Sequence, residues 1–177
     1  MDHKRLTLFA GHYGSGKTNI AVNYALHLAK EGKQVCIADL DIVNPYFRTK
    51  DSAKELEEAG VHLISPQFAN TNVDLPALPA EAYRLVQDRS IYGIMDIGGD
   101  DRGAYALGRY VPGILEENNY RMLFVADAVA LGIKGQAGHQ HQGGPVVGHG
   151  LVRDGLGDIC IAGGHFLLEI ADVDELH

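Results

Sequence analysis

The stretch "RLTLFAGHYGSGKTNIAVNYALHLAKEGK", residues 5–33, changes character twice. It opens on a short apolar run that reads as a β-strand. Glycines follow at Gly11, Gly14 and Gly16, with Lys17 and Thr18 directly after. From Lys17 to about Glu31 the spacing is helical, and Ile20, Ala21, Tyr24, Ala25 and Leu28 share one face. Gly32 stands where a left-handed residue would end that helix. Residues 11–18 satisfy G-x-x-x-x-G-K-[ST] at every fixed position, between a strand and a helix. Phosphate binding needs this layout. Glycines let successive backbone N–H groups turn inward around phosphate oxygens. The helix N-terminus adds partial positive charge. Lys17 is positioned to serve the β- and γ-phosphates, and the Thr18 hydroxyl to ligate Mg²⁺. A glycine-rich turn matching by chance is the competing reading, and the flanking strand and helix argue against it.

Strand and helix patterns then alternate. "QVCIADLD" is a second strand, apolar on both faces as a covered parallel strand is. "TKDSAKELEEAG" reads as a helix closed by Gly60, "VHLISP" as a strand, and "LPAEAYRLVQDR" as a helix started near Pro79. "IYGIMDIGG" is a fourth strand, "AYALGRYVPGILEEN" is mostly helix, and "RMLFVAD" is a fifth strand. This order predicts an α/β fold, a Rossmann-like three-layer sandwich around a mainly parallel sheet. The 177 residues suit one domain, with a core over 1–126 and an atypical C-terminal region over 127–177. Residues 127–165 hold 11 of the 22 glycines, and periodicity weakens there. Within that region "GDICIAGG" reads as one more strand and "HFLLEIADVDEL" as a terminal helix.

A hydrophobic share of 46% supports a real core. The net charge of −8 argues against direct binding to nucleic acid or an anionic membrane, both of which want Lys/Arg clusters. No apolar run reaches membrane-spanning length. Cys36 and Cys160 make no disulfide framework, and Cys36 reads as a core thiol, which together fit a reducing cytoplasm.

Two acidic strand ends accompany the glycine loop. Asp39 and Asp41 close the second strand, and ligands of an open parallel sheet bind beyond such carboxyl ends. Asp96 closes the fourth, as a Walker B acid does when it serves Mg²⁺. Gly98 and Gly99 allow close approach of the backbone to a γ-phosphate, whereas Asp100, Asp101 and Arg102 read as a solvated turn. His139, His141 and His149 have imidazoles suited to a metal but no convincing partner spacing, so they read as a solvated loop.

Residues 4 to about 51, and 91–100 more loosely, resemble the MinD/ParA/CobQ-CobB group of P-loop NTPases, whose nucleotide-binding domain is of the SIMIBI type. The resemblance rests on "GSGKTNIAVNYALHLAKEGKQVCIADLDIVNP", which runs from the loop through the helix to the Asp-x-Asp strand end. It implies a P-loop NTPase fold, ATP with Mg²⁺, slow hydrolysis, and often a nucleotide-dependent homodimer read by a protein partner. It would place Gly11, His12, Tyr13, Gly14, Ser15, Gly16, Lys17, Thr18 and Asn19 around the nucleotide. Thr18, Asp39 and Asp96 would serve the metal, Lys17 the transferring phosphate, and Asp41 the attacking water. Two departures stand out. His12 occupies the position where many members carry a second lysine used across a dimer. "VADAVALGIKGQAGHQHQGG" lacks the usual adenine-reading pattern. The leading expectation is an ATPase switch. The alternatives are a small-molecule kinase or amide-forming synthetase, and a nucleotide-binding module without hydrolysis. A kinase would need an arginine-bearing lid, and there is no arginine cluster beyond the scattered Arg102, Arg109 and Arg121.

Overall fold

The computed structural model describes residues 3–41, 52–65, 80–127, 159–162 and 165–170. Five strands run parallel: β1 (Leu6–Gly11), β2 (Val35–Leu40), β3 (His62–Ile64), β4 (Tyr92–Ile97) and β5 (Tyr120–Asp127). Helices α1 (Lys17–Lys30) and α2 (Ala53–Glu58) follow the first two strands. A 3₁₀ turn (Ala80–Tyr83) and α3 (Arg84–Gln87) precede β4. Helices α4 (Asp101–Gly108) and α5 (Val111–Glu117) connect β4 to β5. Two more strands, β6 (Ile159–Ala162) and β7 (His165–Ile170), complete the sheet in the order β3-β2-β4-β1-β5-β7-β6.

The chain steps from β1 out to β3, then returns to β4 and β5. Right-handed crossovers put the helices of the outward and return legs on opposite faces. The cores divide accordingly. On one face Ala21, Ala25 and Leu28 of α1 and Leu56 of α2 pack on Phe9, Ile37 and Ile94. On the other, Leu85, Tyr110 and Ile114 pack on Leu6, Leu8, Cys36 and Met95. Strand alternation makes this division. Each fully buried leucine contributes about 2 kcal/mol of transfer free energy. Cys36 is one of these core residues, and burial pushes its thiol up to about 12, so it is an inert packing group.

Helix α1 ends as expected. The Lys33 N–H donates to Leu28 O at 3.1 Å and the Gly32 N–H to Ala29 O at 2.9 Å. Two expectations need correction. "HFLLEI" is strand β7, antiparallel to both β5 and β6, and not the start of a helix. A six-residue apolar run carries no period long enough to separate the two states, and the free edge of β5 decides it. Asp100, Asp101 and Arg102 are solvated as expected, but they form the cap and first turn of α4 and not an irregular turn, because Asp100 Oδ1 accepts from the Gly103 N–H at 3.0 Å. The expected helix start near Pro79, and His139, His141 and His149, lie outside the described residues.

At the amino end of the sheet a buried Arg5 ties the layers together. Its guanidinium donates to both Glu117 carboxylate oxygens through Nε and Nη2, and through Nη1 to Leu85 O at 2.9 Å and Ile91 O at 3.1 Å. Among the described residues no helix is long and apolar enough to cross a membrane.

Candidate functional site

Strands β1 and β4 are neighbours, yet the segments after them head for opposite faces. That divergence opens a crevice beyond their carboxyl ends. The glycine loop crosses it. The Ser15 N–H donates to His12 O at 3.1 Å, folding the loop on itself. Gly14 and Gly16 hold φ of 81° and 83°, a left-handed backbone that other residues adopt only under strain. Gly16 is the N-cap of α1. It has no capping side chain, and the first turn of α1 carries no acid. The amino end of α1 therefore offers its N–H groups and partial positive charge to an anion.

The acids arrive from the sheet. Asp39 and Asp96 are register partners across β2 and β4. Alternation turns both toward the α1 face, because Ile37 and Ile94 two residues earlier already pack there. Lys17 reaches over from α1, with its Nζ 3.2 Å from Asp96 Oδ1 and 3.3 Å from Asp41 Oδ2. The Thr18 hydroxyl donates to Asp96 Oδ2 at 2.5 Å. Asp39 Oδ1 accepts the Asp41 N–H at 3.0 Å, which fixes the turn carrying Asp41. Thus Lys17, Thr18, Asp41 and Asp96 come together directly, with Asp39 holding Asp41 from behind.

Lys17, Thr18, Asp39 and Asp96 are all buried, so charge here is costly unless paired. Burial raises the Asp39 carboxyl to about 7, and the neighbouring Asp96 and Asp41 add to that rise against the Asp41 N–H. Burial also raises Asp96, although Lys17 and Thr18 oppose it. Burial pulls Lys17 down, but Asp96 and Asp41 outweigh it and leave the ammonium above its ordinary value. Two buried oxygens in this cluster have no aligned hydrogen bond: Ser15 Oγ and Asp96 Oδ1.

Three of the residues expected around the nucleotide stand outward. His12, Tyr13 and Asn19 are exposed, and His12 Nδ1 lies 2.8 Å from Tyr13 O. The Gly98–Gly99 segment packs against the start of the loop. A Cβ on Gly99 would come within 2.3 Å of Gly11 O and 3.0 Å of His12 Cα. A Cβ on Gly98 would sit 3.3 Å from Asp41 Oδ1. This segment and the start of the loop, Gly11 and His12, line a cleft of about 360 Å³ that is also walled by Leu107, Met122 and Phe124. Those three come from α4 and β5, and no sequence motif marks them. Gly99→Ala is expected to cost about 1–3 kcal/mol, because the new methyl meets backbone that cannot step aside. Chemical denaturation checks this, and a loss under 0.5 kcal/mol (about the noise of a surface substitution) would show that the segment yields.

No family model, curated protein or solved structure matches this chain.

Proposed function

We propose that the protein is a Mg²⁺-dependent, ATP-binding P-loop protein that works as an ATPase switch in the cytoplasm. One observation carries the reading: Lys17 and Thr18, at the uncapped start of α1, converge on Asp96 and Asp41 from two neighbouring strand ends. The donor set suits the ligands. The loop N–H groups, Lys17 and the buried Ser15 hydroxyl are phosphate donors, and Thr18 and Asp96 are oxygen ligands suited to a hard cation. Mg²⁺ bound with the nucleotide supplies neutralisation of phosphate charge.

In hydrolysis the bond between the γ-phosphorus and the bridging oxygen breaks as a water attacks in line. Asp41 orients that water and takes up its proton, and Lys17 stabilises charge on the phosphate oxygens. Lys17 lies between two carboxylates, so a triphosphate competes with Asp41 for its ammonium. That exchange couples nucleotide state to the turn carrying Asp41 and to Gly98 beside it. A homodimer or protein partner would read the change. The cleft beside Gly98 and Gly99 favours a second reading, in which a small-molecule acceptor replaces water as in a kinase or synthetase.

Thr18→Ala tests the reading. It is expected to weaken ATP binding about tenfold or more with Mg²⁺ present and far less with chelator. Equal losses in calorimetric titrations under both conditions would remove Thr18 from the metal site. Phosphate release by the wild type with Mg²⁺-ATP alone separates the switch from an enzyme that needs an acceptor.

A further inference from the structure

The far end of α1 carries a second cluster of chemically active side chains. His27 and Glu31 are one helical turn apart, and His3 comes up beside them from the segment leading into β1. His3 Nε2 lies 3.3 Å from Glu31 Oε2, and His27 Nε2 lies 3.2 Å from Glu31 Oε1. Both contacts are longer than the usual charge-assisted hydrogen bond of about 2.7–2.9 Å. They match the edge of a tetrahedron around a metal with bonds of about 2.0–2.1 Å, which is about 3.4 Å. The three ligand atoms all fall within 4.8 Å of one another. The other nitrogen of His3 is also engaged: Nδ1 lies 3.1 Å from the Tyr24 hydroxyl. That contact orients the ring with Nε2 toward the cluster, as outer-shell partners of metal-bound histidines do. Tyr24 is itself held by Phe9 at a ring distance of 6.0 Å and by the Arg121 guanidinium at 5.0 Å.

We infer that His3, His27 and Glu31 form a binding site for a divalent first-row transition-metal ion, Zn²⁺ being the ion its ligand set suits. Two imidazoles and one carboxylate are a nitrogen-oxygen set that Mg²⁺ and Ca²⁺ do not select. The fourth position is open to solvent, since His27 and Glu31 are exposed. The bound ion pins the leading segment of β1 to the last turn of α1. With 14 residues in α1 the site is about 20 Å from the glycine loop, so it is separate from the nucleotide.

The experiment uses the full chain stripped of metal, in excess Mg²⁺ so that the Asp39–Asp96 region is not the binder. Co²⁺ is followed by its visible absorption and Zn²⁺ by calorimetry. The wild type is expected to take up one equivalent that His27→Ala and Glu31→Gln lose or bind at least tenfold more weakly. Tyr24→Phe is expected to weaken it by about tenfold, the scale of a lost outer-shell partner. Zn²⁺ should raise the melting temperature of the wild type and not that of His27→Ala. His27 is 59% exposed, so its replacement leaves the core intact. No uptake by the wild type, or the same affinity and spectrum in His27→Ala, overturns the proposal.

Discussion

Lys17→Ala is expected to lower affinity for Mg²⁺-ATP by about 10²-fold or more. On the proposed function the ammonium would make charge-assisted contacts to phosphate, each worth about 1.5–3 kcal/mol, and alanine would make none. The sequence reading assigns Lys17 to the phosphates. In the structure Lys17 is also 5% exposed and balances the buried Asp96 carboxylate. The variant is therefore also less stable. Removing one partner of a buried pair costs up to about 3–5 kcal/mol, reduced here because Asp96 can accept a proton. The sign of the pH dependence follows. Burial already raises Asp96 above its unfolded value, and loss of Lys17 raises it further. Between the unfolded value and the folded one the native state binds more protons, so its stability falls as pH rises. The deficit relative to wild type should be small near pH 4 and larger at pH 8. Denaturant titrations at both values check the stability, and calorimetry checks the affinity. Wild-type affinity in folded Lys17→Ala would end the phosphate-loop assignment.

Asp41→Ala is expected to hydrolyse ATP about 10²-fold more slowly or worse while binding it within a few-fold of wild type. A carboxylate that orients water and accepts its proton acts on the rate and not on the ground state. Lys17 keeps Asp96 in this variant, so the ammonium stays in the crevice. Asp39→Ala should behave differently. Asp39 holds the Asp41 N–H and faces Asp96 across the strands, so its loss should disturb binding and turnover together. Single-turnover rates and titrations on both variants separate the two roles. If Asp41→Ala turns over at the wild-type rate, the water is positioned by another group. Asp100 is a poor substitute, since its side chain is used to cap α4.

The first third of the chain, together with β4, was the most readable. The loop, α1 and the acidic ends of β2 and β4 are encoded locally, by glycines at fixed offsets, by a 3.6-residue period and by apolar runs that stop at aspartate. The parallel order was legible for the same reason, since strands that alternate with helices have few ways to join one sheet. Cys36 in the core and the end of α1 at Gly32 were legible too.

What remained hidden depends on residues far apart in the chain. Nothing in "HKRL" announces that Arg5 pairs with Glu117, more than a hundred positions on. The pairing of Asp39 with Asp96 needs the register of β2 against β4, and a slip by one residue would turn the two acids to opposite faces. The bridge from Lys17 to both Asp41 and Asp96 follows from that register together with the packing of α1. The strand state of "HFLLEI" comes from the free edge of β5, and the meeting of His3 with His27 and Glu31 from the way β1 enters beneath α1. The sequence by itself determined the elements up to β5 and the types of chemical group at their ends, because those depend on neighbours a few residues away. Only the tertiary structure decided which groups meet, because sheet register and helix docking are set by burial over the whole core.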